Sequence, residues 1–196
     1  MTDTRERILA AALDLLESGP AQAVRMSDIA KRSGISRQAV YLHFPTRADL
    51  LIAVTLYVDQ IKDVPGRLAA SRAATTGRAR LAAFIEAWGN YIPEIYGVAQ
   101  ALLAMRDTDA AARAAWDNRM DAMRQGCAAA VRALARDGDL SPDLDENTAT
   151  DLLWTLLSVR NWEHLTQDCG WTQTAYLKAM TEATKVVIGP RDDRTR

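Results

Sequence analysis

The sequence predicts an all-α protein, and three observations carry that. Alanine, the strongest helix former, is the commonest residue with 35 copies, while Gly and Pro, the weakest, total 16. Apolar residues recur at spacings of three and four over long stretches. No segment sustains the alternation of a half-buried strand.

The elements follow from stripes and stop signals. A first helix is predicted from about Asp3 to Ser18, with Ile8, Leu9, Ala12, Leu15 and Leu16 on one stripe, ended by Gly19-Pro20. Ser27 is expected to cap a short second helix that points Ile29 and Ala30 inward and ends at Gly34. Ser36 caps a third helix that reaches Phe44, where Pro45 forbids continuation. Thr46 caps a fourth that runs to about Asp63 and is stopped by Pro65. After a break at Thr75-Thr76-Gly77, the stripe Leu81, Phe84, Ile85, Trp88, Ile92 gives a helix ended by Pro93, and Glu94 to about Arg106 reads as helical again. A long helix is expected from about Asp109 to Arg136, with Gly126 as a bending point. Asp137 to Glu146, acidic and interrupted by Gly138 and Pro142, reads as a solvated loop. It fails as a calcium loop because Pro142 stands where the sharp-turn glycine belongs. Two last helices are expected at about Glu146 to Gln167 and Thr172 to Ile188. The first is apolar around most of its circumference and so needs two partners, one of which is expected to be a second copy of the chain.

Composition excludes several classes. Hydrophobic residues at 48% and charged residues at 25% are an ordinary globular balance. The longest apolar run, Ile8 to Leu13, falls well short of the roughly 20 residues of a membrane span. The first residues lack the charged-then-apolar pattern of a signal peptide, so a cytoplasmic location with Cys127 and Cys169 as reduced thiols is expected. Two distant histidines, His43 and His164, leave little material for a metal site or a hydrolase triad, and no phosphate-cradling glycine loop is present. No enzyme activity, metal or cofactor is expected.

The informative stretch is Ser27 to Phe44: short helix, glycine-containing turn, short helix. Ala30 is small where two helices cross, Gly34 can take positive φ, and Ile35 plugs the angle between the helices. Val40 and Phe44 are expected to face inward with Ile29, which leaves Arg37, Gln38, Tyr41 and His43 facing out. This is the build of a helix-turn-helix, whose second helix enters the DNA major groove. The overall net charge of −1 hides a local +4 between Arg25 and Arg47, where Arg25, Lys31, Arg32, Arg37 and Arg47 face one acid, Asp28.

The run from Met26 to Leu51, with its Ile-Ala, Gly-Ile-Ser, Tyr-x-His-Phe and Leu-Leu elements, resembles the TetR family of bacterial transcriptional regulators. The detailed match covers about residues 5 to 55. It departs at Gly19-Pro-Ala-Gln, where an aromatic is usual after the glycine, and at Arg47, where lysine is usual. The resemblance implies about nine helices: a DNA-binding domain at 1–45, a ligand-binding and dimerisation domain at 46–190, and a loose tail at 191–196. It implies a homodimeric repressor of a palindromic operator, released by a small-molecule effector. The alternative is a helical dimer that has lost DNA binding and acts through protein partners.

Chemistry suggests the roles. Arg37 can reach guanine O6/N7, Gln38 an adenine edge, and Ala39 a thymine methyl. Arg25, Ser27, Ser36, Tyr41, His43, Thr46 and Arg47 complete the expected DNA-binding set, several of them at helix N-termini that attract phosphate. In the larger part, Trp88, Tyr91, Tyr96, Met105, Trp116, Met120, Met123, Trp154 and Trp162 are the material for an apolar or amphipathic effector pocket, or else plain core. Leu152, Leu153, Leu156, Val159, Tyr176, Met180, Ala183 and Val187 are the expected dimer interface.

Overall fold

The computed structural model describes residues 3–18 and 24–189. The expected stop at Gly19-Pro20 and the tail at 191–196 lie outside the described residues. The helices are α1 (Thr4–Glu17), α2 (Met26–Ser33), α3 (Arg37–His43), α4 (Arg47–Ile61), α5 (Val64–Arg67), α6 (Ala69–Ala73), α7 (Gly77–Met105), α8 (Ala110–Arg136), α9 (Glu146–Leu156), α10 (Val159–Glu163) and α11 (Gln173–Ala183). A π-helical turn at His164–Asp168 follows α10, and a 3-10 turn at Thr184–Val187 follows α11. Among the described residues there is no strand, only an isolated bridge between Leu140 and Ile188.

The chain divides into two compact units, residues 1–63 with 95–120 and residues 64–94 with 121–196. α4 falls in the first unit, with the helix-turn-helix. In the first unit, Ile8, Ala12, Ile29, Val40, Leu50, Leu51 and Val54 are fully buried, and Phe44 nearly so. In the second unit the core is built from Leu81, Ile92, Leu134, Leu153, Leu157 and Tyr176.

Several boundaries differ from expectation. α2 starts at Met26, so Ser27 lies inside its first turn. The cap is Arg25, whose backbone N–H donates to the Asp28 carboxylate at 3.3 Å. Pro65 does not end a helix but sits in the first turn of α5, where its missing N–H costs nothing. The expected helix from Glu146 to Gln167 breaks after Leu156, because Ser158 takes a β conformation and caps α10 by accepting from the Asn161 N–H at 3.2 Å. α8 runs unbroken through Gly126.

The largest correction is at Pro93, which lies inside α7. A proline removes the hydrogen bond to the carbonyl four residues back. Here that carbonyl belongs to Gly89, and the Gln173 side-chain amide donates to it at 2.8 Å. The same amide's oxygen accepts the Trp162 indole N–H at 2.9 Å. A side chain of α11 thus replaces the donor that Pro93 lacks, and the helix continues.

The loop at 137–146 is less idle than its composition suggested. Asp137 accepts the Gly77 backbone N–H at 2.5 Å, Asp139 pairs with Arg78 at 2.6 Å, and Asp145 caps α9 by accepting from the Thr148 N–H at 2.8 Å. Two of these acids hold the N-terminus of α7. Gly77 is needed there, because a Cβ would stand 2.5 Å from the Leu134 backbone nitrogen.

Candidate nucleic-acid interface

α2 ends where Gly34 takes φ +67°, a left-handed conformation that glycine adopts at low cost, and the Ile35 N–H closes the turn on the Ala30 carbonyl at 3.1 Å. Arg7 of α1 donates to the Ser33 carbonyl at 2.8 Å, which supplies a partner for an orphan acceptor of that turn. Ser36 then caps α3 by accepting from the Ala39 N–H at 3.1 Å. Val40 is fully buried and Phe44 is 2% exposed, with the Arg5 guanidinium 5.0 Å from the Phe44 ring centroid. Two inward anchors four residues apart fix which side of α3 faces out.

That outer side carries Arg37, Gln38, Tyr41 and His43, all exposed, and Ala39, half-buried. The Arg37 guanidinium lies 5.7 Å from the Tyr41 ring centroid, a cation–π contact that limits the arginine's freedom before any ligand arrives. The sequence reading missed Leu42, which is 80% exposed on the same helix. The signal was available: at 100° per residue, Leu42 lies about 200° around from Val40, opposite the core. An exposed leucine on this face offers an apolar surface of the kind that meets a thymine methyl.

The flanks behave differently. Arg25 and Ser27 are exposed at the start of α2. Arg32 forms an ion pair with Asp14 of α1. At α4, Thr46 is capped by its own helix: its hydroxyl donates to Asp49 at 2.7 Å, and its N–H also donates to that carboxylate, at 3.1 Å. The N-terminus expected to attract phosphate therefore already holds an anion. Arg47 does not point outward either. Its Nε donates to the Val24 carbonyl and its Nη1 to Asp109, and the side chain is 20% exposed. Burial pushes the Asp109 carboxyl up, but the Arg47 hydrogen bond, the N–H groups of Ala112 and Ala111 and the Arg47 charge outweigh it and hold the group below the usual carboxylate range. Of the five basic residues from Arg25 to Arg47, Arg32 and Arg47 are ion-paired, and Arg25, Lys31 and Arg37 are exposed.

The nominated effector residues divide between the units. Tyr96, Met105, Trp116 and Met120 belong to the first; Trp88, Tyr91, Met123, Trp154 and Trp162 belong to the second. In the second, the Trp88 indole N–H donates to the Leu157 carbonyl at 2.7 Å, and Trp88 meets Tyr91 edge-on at 6.0 Å between centroids. A groove of about 460 Å³ between α7 and α11, lined by Ala82, Ala83, Glu86, Thr174, Leu177, Lys178 and Thr181, includes none of the nominated residues. Of the expected interface residues, Leu153, Val159, Tyr176, Met180 and Val187 are buried within the chain itself, which accounts for their apolar character without a second copy. Leu152, Leu156 and Ala183 are part-exposed. Cys127 is buried and Cys169 exposed, both free thiols. Among the described residues, no cluster of His, Cys, Asp or Glu could hold a metal ion, and no helix is long and apolar enough to cross a membrane.

Residues 8–54 match the family model described as "Bacterial regulatory proteins, tetR family". The HTH-type transcriptional activator FasR of Mycolicibacterium smegmatis is 34% identical over 91 residues, 46% of this chain and 41% of that protein. The matched segment thus spans about two fifths of that relative's length. Among solved structures, a Rhodococcus sp. chain assigned to the TetR family superposes with a TM-score of 0.75 at 21% identity, covering 96% of this chain and all of that one. A Saccharomonospora viridis protein in complex with choline gives 0.71 at 21%, covering 95% and 98%. The transcriptional regulator FadR of Bacillus subtilis in complex with stearoyl-CoA gives 0.69 at 16%, covering 93% and 98%.

Proposed function

Because residues 8–54 carry the N-terminal region of the tetR family of bacterial regulatory proteins, and the chain has the fold of its members, we propose that this protein is a cytoplasmic, non-enzymatic DNA-binding transcriptional regulator. The observation that carries the reading is the outer face of α3. Arg37 and Gln38 stand exposed in its first turn, Tyr41, Leu42 and His43 follow, and Val40 and Phe44 lock the opposite face. Arg37 and Gln38 read base edges in the major groove, Ala39 and Leu42 meet thymine methyls, and Arg25, Ser27, Ser36, Tyr41 and His43 hold the backbone. The protein acts as a homodimer on a palindromic operator, with two copies of α3 in successive major grooves. It represses by covering promoter DNA.

A small molecule is the effector. Proteins of the same fold bind choline or stearoyl-CoA, which supports an amphipathic or apolar ligand. Trp88, Tyr91, Met123, Trp154 and Trp162 are the aromatic and thioether side chains of the second unit whose chemistry suits such a ligand. Its binding shifts the population of dimers away from the arrangement that fits the operator.

The test is selection of duplexes from a random-sequence pool by the full chain, followed by binding at several salt concentrations. A palindromic consensus, and an affinity that falls steeply with salt, are expected. Recovery of no consensus, with binding insensitive to salt, refutes the reading and favours the protein-interaction alternative.

A further inference from the structure

This inference rests on the DNA-binding reading and deepens it. A cation in the first turn of α4 is placed to grip a phosphate, yet Arg47 is turned inward. One nitrogen donates to Val24, two residues before α2, and another to Asp109. Asp109 in turn caps α8, its Oδ1 accepting from the N–H groups of Ala111 at 2.9 Å and Ala112 at 3.2 Å. One guanidinium therefore joins the chain entering the helix-turn-helix, the start of α4 and the start of α8. A second ion pair, between Asp59 and Arg119, joins α4 to α8 farther along. The two bridges occur in the same order on both helices, at about 18 Å apart along α4 and about 15 Å along α8. Two bridges at these spacings fix both the height and the rotation of α4 within the first unit. α4 packs against α1, α1 against α2 and α2 against α3, and Leu50, Leu51 and Val54 of α4 are buried, so the setting of α4 is passed to α3 through α1 and α2.

We propose that Arg47 is a positioning residue for DNA binding. Its hold on Val24 and Asp109 sets the attitude in which α3 meets the groove, so Asp109, 62 residues farther along and outside the helix-turn-helix, controls operator affinity. The two roles open to Arg47 make opposite demands on Asp109. If Arg47 grips phosphate, neutralising Asp109 frees the guanidinium and affinity rises. If Arg47 is a clasp, affinity falls.

The experiment compares full-length wild type, Arg47→Ala, Asp109→Asn and the double variant. Each is titrated against a duplex that wild type selects from a random-sequence pool and against a scrambled duplex. Asparagine keeps the α8 cap and removes only the charge; Asp109→Ser, a second uncharged cap, repeats the reading if the asparagine variant does not fold. Each single variant is expected to lose about tenfold or more on the selected duplex, with the double variant no weaker than either. Binding to the scrambled duplex and its salt slope are expected to stay at wild-type values, which a mere loss of folded protein would not produce. If Arg47→Ala weakens both duplexes alike and lowers the salt slope by about 0.9, or if Asp109→Asn binds the selected duplex at wild-type affinity or better, the inference is overturned while the DNA-binding reading stands. A wild type that selects no duplex overturns both.

Discussion

Replacing Gln173 with alanine removes the side chain that lets α7 pass through Pro93. Two hydrogen bonds are lost, Gln173 to the Gly89 carbonyl at 2.8 Å and the Trp162 indole to Gln173 at 2.9 Å. The first has no local substitute, because the residue that would donate to Gly89 within the helix is a proline. A polar group left unpaired inside a protein costs about 1–3 kcal/mol, and an ordinary hydrogen bond contributes about 1 kcal/mol. The expected loss is therefore about 2–4 kcal/mol, read as a lower urea midpoint at unchanged slope. Pro93→Ala returns an N–H to the helix, so it is expected to rescue part of the loss when combined with Gln173→Ala. A double variant whose losses simply add, or a single variant within about 0.5 kcal/mol of wild type, would refute the bridging role of Gln173.

Further outcomes follow from the same geometry. Gln38→Ala is expected to relax base preference at one position of the selected site, and an unchanged consensus would remove it as a reader. Leu42→Ala is expected to leave the unfolding midpoint unchanged, since the side chain is 80% exposed, while lowering operator affinity; equal affinity would show that Leu42 makes no contact. Burial pushes the Cys127 thiol up to about 12, so alkylation at neutral pH is expected at the exposed Cys169 alone until the chain unfolds, as mass spectrometry would show. Because Asp109 is held below its ordinary value, its stabilisation is full above the unfolded-state pKa of about 3.9 and is lost as pH falls through the lower folded value. Asp109→Asn is therefore expected to flatten the acid limb of stability measured from pH 5 downward.

What the sequence made legible was local. Ser36, Thr46 and Gly34 declare helix ends within three residues of themselves, and Val40 with Phe44 declares a buried face within one turn. The outward face of α3 could be read because everything that orients it lies between Ile29 and Phe44. Ser27 misled because the competing cap, Arg25 with Asp28, is equally local and lies two residues earlier. The inward turn of Arg47 was not legible for a different reason. Its partner is 62 residues away, and no pattern near α4 marks it.

Pro93 shows the same limit from the side of the backbone. Read locally, a proline ends a helix, and only a donor 84 residues from Gly89 reverses that outcome. The carbonyl at the end of α9 likewise finds its donor far away in sequence, for the Trp88 indole N–H donates to Leu157 from another helix. The sequence offers these indoles to an effector pocket, and the structure gives their polar edges a prior task. The N–H of Trp88 serves a helix end, and that of Trp162 serves the amide that carries α7 past Pro93. An effector that took either hydrogen bond would have to undo a helix connection to do so. It follows that a ligand of the second unit would meet these tryptophans by their ring faces. Binding by apolar contact would leave the helix ends intact, whereas binding by hydrogen bond would shift α7 and α9. The two modes separate by measurement: hydrogen exchange at residues 89–93 and 157–161 should stay protected on ligand addition in the first and open in the second.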